Sequence, residues 1–165
     1  MTTTRLDGVA TTSRIDPGQE THDSSGIHVR GRVFTDRVES ADVCLDGTNR
    51  VTLDLDLNLA DGSGTLGGTF ELDLLSRLGT WTGEVSGHFE AGMVVAEGLG
   101  RGAGSLAGAV LHVAFRQLAE HPGQAPCAEP LAFFSVRGLM LPAPEARQET
   151  SGVDGGPSAP SPLSP

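Results

Sequence analysis

Between Val51 and Leu59 apolar and polar residues alternate without a break. Val51, Leu53, Leu55, Leu57 and Leu59 fall on one side of a period of two, and Thr52, Asp54, Asp56 and Asn58 fall on the other. That period places the two sets on opposite faces of a β-strand. Ala60-Asp61-Gly62-Ser63 follows, and Asp-Gly favours a two-residue hairpin turn because both central positions need φ > 0. With Asp61-Gly62 as the turn, Leu57 faces Leu66, Leu53 faces Phe70 and Val51 faces Leu72. On the other face Thr52 meets Glu71 and Arg50 meets Asp73 with opposite charge. A slip of one residue would set leucines against aspartates along the ladder.

A second turn at Ser76-Arg77-Leu78-Gly79 leads into another alternating run. Trp81, Val85, Phe89 and Ala91 share a face with Gly83 and Gly87, and Thr80, Thr82, Glu84, Ser86, His88 and Glu90 share the opposite one. The pattern predicts an antiparallel meander with one dry face and one wet face. Three strands cannot cover that dry face, so a closed or nearly closed barrel, or a second sheet, is required.

The other elements follow from the same reading. Ile27, Val29, Gly31 and Val33 predict a strand whose alternation slips near Phe34, where a bulge or corner is expected. A short strand to Cys44-Leu45 and a turn at Asp46-Gly47 would enter the central hairpin. Met93 to Glu97 predicts a strand that runs into glycines at 98, 100, 102, 104 and 108, all of one parity. On a strand they line one face, where backbones crowd or bend as a small barrel closes. Ser105 to Ala119 fits a strand through Ala109, Leu111, Val113 and Phe115, and also fits a helical stripe; the preceding glycines and Val-Leu-His-Val favour strand. His121 to Pro130 reads as a loop. Leu131 to Leu141 reads as a last strand, apolar on both faces in places.

Residues 1–25 show no period and are expected to be disordered, as is the Pro-, Ser- and Gly-rich segment 143–165. The expected architecture is therefore an all-β antiparallel barrel of about eight strands over residues 26–142, with tails on either side.

Charge narrows the partners. The net charge is −10, and lysine is absent, so all 11 basic residues are arginines. Such a chain has little to offer phosphate backbones or anionic membranes, and no nucleic-acid partner is expected. No apolar run is long enough for a transmembrane helix, and Met1 to Asp7 lacks the apolar core of a signal peptide, which together predict a cytoplasmic protein. Cys44 and Cys127 are then expected as buried free thiols.

The runs Gly64-Thr-Leu-Gly-Gly-Thr-Phe-Glu-Leu, Gly79-Thr-Trp-Thr-Gly and Glu97-Gly-Leu-Gly-Arg-Gly-Ala-Gly-Ser-Leu-Ala-Gly resemble bacterial proteins with an allene oxide cyclase-like barrel. The resemblance spans roughly Gly26 to Leu141 and rests on glycine and tryptophan spacing. It implies an eight-stranded antiparallel barrel with an apolar interior. Plant members cyclise a fatty-acid epoxide with the help of a glutamate and an ordered water. Of the strand glutamates here, Glu71, Glu84 and Glu90 fall on the wet face and Glu97 stands apart from them. No catalytic position carries over.

Candidate chemistry is sparse. Gly62 to Gly67 matches G-x-G-x-x-G, but a strand follows it where a dinucleotide site needs a helix. Asp54, Asp56 and Asn58 lie too far apart along an extended strand to share one calcium ion easily, and read as a solvated outer face. The histidines at 22, 28, 88, 112 and 121 show no metal spacing, no Ser/His/Asp arrangement can be placed, and His112 reads as a core or rim histidine. No metal or cofactor is expected. Phe70, Trp81, Phe89, Phe115 and Phe133 fall on apparently inward faces and could line a small-molecule cavity or fill a packed core. Arg50, Arg101 and Arg137 could bind a carboxylate at the mouth.

Three functions remain open on this reading. The first is a barrel binding an apolar or lipid-like molecule in its lumen. The second is a cyclase- or isomerase-type enzyme, which requires a buried ionisable group of shifted pKa. The third is a structural barrel with a filled core that forms homo-oligomers through an apolar outer patch at Phe134, Val136 and Met140.

Overall fold

The computed structural model describes residues 3–119 and 132–143. The chain forms β1 (Thr4–Asp16), β2 (Gln19–His22), β3 (Ile27–Ser40), β4 (Gly47–Leu57), β5 (Gly64–Leu74), β6 (Thr80–Glu90), β7 (Met93–Gly102), β8 (Val110–Leu118) and β9 (Phe133–Leu141), with a single 3-10 turn at Gly104–Leu106. Each strand from β3 to β9 pairs antiparallel with the next, and β1 closes the ring by pairing with both β9 and β3. The result is the expected closed, eight-stranded antiparallel meander barrel. Both β1 and β2 pair with β3, β1 from Val33 to Ser40 and β2 from Ile27 to Arg30, so they act as one strand broken at Pro17-Gly18.

The barrel therefore begins at Thr4 and not at Gly26. The expected unstructured segment 1–25 contains the closing strand, because its inward face carries one large side chain, Leu6, followed by Gly8, Ala10 and Thr12. That face is too small to give a hydropathy period. The segment from 144 onwards and residues 120–131, which include the expected loop from His121 to Pro130 and Cys127, lie outside the described residues.

The central hairpin keeps its faces but shifts by two residues. Leu57 pairs with Gly64, Leu55 with Leu66, Val51 with Phe70 and Arg50 with Glu71, so the Arg50–Asp73 pairing does not form. The turn is wider than two residues. Asn58 N–H donates to the Ser63 carbonyl, Gly62 N–H to the Asn58 carbonyl, and the Asn58 and Asp61 side chains accept from Ala60 and Ser63 N–H. Four residues then span the loop, and Leu59 is exposed in it. A two-residue slip conserves parity, which is why the dry and wet faces are as expected.

The slip expected near Phe34 sits earlier, at Arg30-Gly31, where the β3–β4 register jumps between Val29 and Arg32. Gly31 has φ +66, the left-handed conformation of a G1-type bulge. Ile27 and Val29 point inward before it; Arg32, Phe34, Asp36 and Val38 take that face after it. Residues 41–46 form bends and turns and not the short strand expected at Cys44-Leu45. Segment 105–119 is a strand from Val110 onward.

The two ends of the barrel differ. At one end Leu6, Val38, Leu45, Leu72, Leu74, Trp81, Leu111, Val113 and Val136 form a packed core. The 41–46 turn covers it, held by Trp81 Nε1 donating to the Cys44 carbonyl at 2.9 Å and by Leu75 N–H on the Asp46 carbonyl. Midway along the barrel, Phe70 from β5 reaches across to β7, where Gly98 and Gly100 leave it room. A Cβ at Gly100 would lie 2.9 Å from Phe70 Cζ, and one at Gly98 would lie 3.0 Å from both Phe70 Cε1 and Val113 Cγ1. The glycine parity noted in the sequence thus accommodates an aromatic ring. Toward the other end the side chains do not meet, and a cavity remains.

Candidate functional site

The cavity occupies the half of the lumen formed by the start of β3, the end of β4, the start of β5, the end of β6, the start of β7, the end of β8 and the start of β9. Its volume is about 330 Å³, near the lower bound for small-molecule pockets. Leu53, Leu55, Leu66, Val85, Val94 and Ala96 line its walls together with Phe34, Phe70, Phe89, Phe115 and Phe134.

Three of the five aromatic residues chosen from the sequence are in this lining: Phe70, Phe89 and Phe115. Trp81 is inward but fully buried (0 % exposed) in the packed end, away from the cavity. Phe133 shares the strand face of exposed Arg137 and Leu139, and Phe134 takes its place in the lining. The inversion on β9 also overturns the outer patch expected at Phe134, Val136 and Met140, since all three pack with the core. A run apolar on both faces carries no parity, so sequence alone could not orient it. The arginines are displaced likewise. Arg50, Arg101 and Arg137 are exposed outside the barrel, and Arg32 stands at the mouth. Its Nε donates to the Pro17 carbonyl at 3.0 Å and its Nη2 to Glu20 Oε2 at 2.9 Å. The bulge at Gly31 turned this arginine inward.

Polar groups enter the lumen as one row across the wall. Thr12 on β1 pairs with Asp36 on β3, and Asp36 pairs with Asn49 on β4. They are 0 %, 5 % and 2 % exposed, and Asp36 and Asn49 line the cavity floor. The Thr12 hydroxyl donates to Asp36 Oδ1 at 2.8 Å. Burial pushes the Asp36 carboxyl above the ordinary carboxylate range, opposed by hydrogen bonds from Thr12 and Asn49. The Asn49 Oδ1 is buried without a hydrogen-bond partner, and such an acceptor costs free energy unless something supplies a donor. Sequence reasoning passed over all three. Asp36 shares parity with Phe34 and Val38, and Asn49 shares it with Val51 and Leu53, which is the signal that could have found them. Gln117, also in the lining, accepts Val94 N–H through its Oε1 at 3.0 Å.

Outside the barrel near the same end, a Ser/His/Asp arrangement does form, contrary to expectation. Ser25 Oγ lies 3.2 Å from His28 Nε2, and His28 Nδ1 lies 2.6 Å from Asp56 Oδ1. It is not arranged for nucleophilic catalysis. The Ser25 hydroxyl donates to Asp23 Oδ1 at 2.6 Å, and Asp23 Oδ2 also approaches His28 Nε2 at 3.2 Å. Hydrogen bonds to Asp56 and Asp23 raise the His28 pKa, which favours the cationic ring, held between two carboxylates, over a base poised for a proton. Arg30 Nη2 adds a 2.7 Å bond to Asp56 Oδ1, and Asp54 accepts from Gly31 N–H. The carboxylates read as a solvated strand face thus fasten the bulge and the β2–β3 turn.

The remaining sequence candidates are peripheral. Glu71, Glu84, Glu90 and Glu97 are exposed on the outer wall. His112 is not a core residue: it is half-exposed there, 3.7 Å from Glu97. Cys44 is a free, partly buried thiol whose pKa is raised, first by burial. No helix among the described residues is long and apolar enough to cross a membrane. Comparison with protein-family models, curated proteins and solved structures finds no match to this chain.

Proposed function

We propose that this chain is a small binding barrel whose lumen holds one mostly apolar molecule. The observation that carries the reading is the cavity of about 330 Å³, walled by leucine, valine and phenylalanine side chains, at one end of a barrel whose other end is packed solid. Eight-stranded barrels have interiors just large enough to fill with side chains or to hold one small ligand, and this one does each in a different half. Native mass spectrometry of the full chain tests it. A single small molecule of defined mass, retained by the folded chain and lost on denaturation, supports binding. A bare chain that also fails to take up added apolar compounds returns the barrel to a structural role.

A second reading, a cyclase- or isomerase-type enzyme, is supported by Asp36. A buried carboxyl with its pKa pushed up beside an apolar cavity is the kind of group such chemistry uses as a proton donor. It fits the resemblance to allene oxide cyclase-like barrels, although the carboxyl is an aspartate on β3. The check is isomerisation of an apolar epoxide by the native chain but not by Asp36→Asn; equal rates for both remove this reading.

A further inference from the structure

The polar atoms inside the cavity are few, and their kinds are unequal. The charged residues in the described lining are Glu20, Arg32 and Asp36, two acids against one base. Arg32 is engaged at the mouth by the Pro17 carbonyl and by Glu20. At the floor the Thr12 hydroxyl is spent on Asp36 Oδ1. What the floor has to spare is acceptor capacity, on the Asp36 carboxyl and on the orphaned Asn49 Oδ1. At the floor an ionised Asp36 would repel a carboxylate-bearing ligand, and the orphaned Asn49 Oδ1 offers it no donor.

We propose that the lumen takes an apolar molecule ending in a protonated amine, seated with its nitrogen against Asp36 and Asn49 and its hydrocarbon part against Phe34, Leu55, Phe89 and Phe115. An ammonium group brings three donors to a floor short of donors. It also brings the charge that a desolvated carboxylate lacks, and hydrogen bonds to charged groups are stronger than neutral ones. The net charge of −10 draws cations toward the protein from a distance.

The inference rests on the binding reading, and calorimetry on the full chain separates the two. The probes are n-octylamine, octan-1-ol and octanoate, which share a chain and differ in the head group. The expected order at neutral pH is amine first, tighter than the alcohol by at least about tenfold, with octanoate weakest. Asp36→Asn should bring the amine down to the level of the alcohol. An alcohol or octanoate that binds as well as the amine overturns the head-group assignment and leaves the binding barrel standing. An amine affinity unchanged in a folded Asp36→Asn chain overturns it as well. Failure of all three probes to saturate overturns both readings. Should Asp36→Asn not fold, the order of the three probes on the native chain decides alone.

Discussion

The Thr12 hydroxyl donates to Asp36 Oδ1 at 2.8 Å across the seam where β1 closes the barrel on β3. The bond joins residues 24 positions apart and is wholly buried, so Thr12 both fastens the last pair of strands and satisfies a carboxyl at the cavity floor. Thr12→Val keeps the shape and removes the donor. It should destabilise the fold by about 1–3 kcal/mol in urea unfolding, because a buried acceptor is left without its partner. Thr12→Ser should recover most of that loss; a Thr12→Val chain as stable as the native one would contradict the role given to this bond.

Asp36 also sets a pH dependence. Its folded pKa lies above the ordinary 3.8, so between those two values the native chain keeps a proton that the unfolded chain has released. The stability this contributes is full below the ordinary value and is lost as pH rises through the folded one. Asp36→Asn removes the titration. The stability of the variant relative to the native chain should therefore climb as pH rises from 3.8 through the folded pKa, and level off above it. Chemical denaturation at several pH values reads the difference directly, and a flat difference would show that the carboxyl is not held up by burial.

The clamp on His28 behaves differently on either side of neutrality. Asp56 and Asp23 raise the His28 pKa above 6.5, so its contribution is present below that value and is lost as pH rises through the folded one. The two aspartates are lowered from 3.8; their contribution is present above that value and is lost as pH falls through the folded ones. The β2–β3 turn should be held best between these limits. Ring-proton NMR should place the His28 titration above that of a free histidine, and His28→Gln should flatten the stability curve on the alkaline side. Ser25→Ala should leave any ester hydrolysis at background, since this serine is not activated.

Gly98 stands between Phe70 and Val113, with 3.0 Å to each from a would-be Cβ. Gly98→Ala should cost about 1–3 kcal/mol through overpacking, and Phe70→Leu in the same chain should relieve part of it. A thermal-melt double-mutant cycle measures the coupling. Strict additivity would mean that the glycines do not serve to seat the ring.

How much of this could be read in the chain depended on the size of the inward side chains. On β4, β5 and β6 the inner face carries Leu, Val, Phe and Trp, and the alternation alone orients those strands, even though the wider turn at Leu59 to Gly62 moved their pairing by two. On β1 the inner face is Leu6, Gly8, Ala10 and Thr12, small after its first residue, and hydropathy has nothing to report. On β9 both faces are apolar, so Phe133 and Phe134 could not be distinguished. The site suffered most from the bulge at Gly31. A single left-handed residue exchanged the faces of β3, turning Arg32 and Asp36 inward, and only the parity that Asp36 shares with Phe34 and Val38 marks that face in the chain.

The central claim is that the lumen is a binding site, and the most direct measurement is the titration of an apolar, environment-sensitive dye into the native chain and into Leu55→Trp, which fills the cavity from its wall. The native chain should bind one dye with saturation, and Leu55→Trp should melt as a folded barrel yet lose that binding by at least about tenfold. Absence of saturable binding to the native chain, or equal binding to a folded Leu55→Trp, would contradict the account.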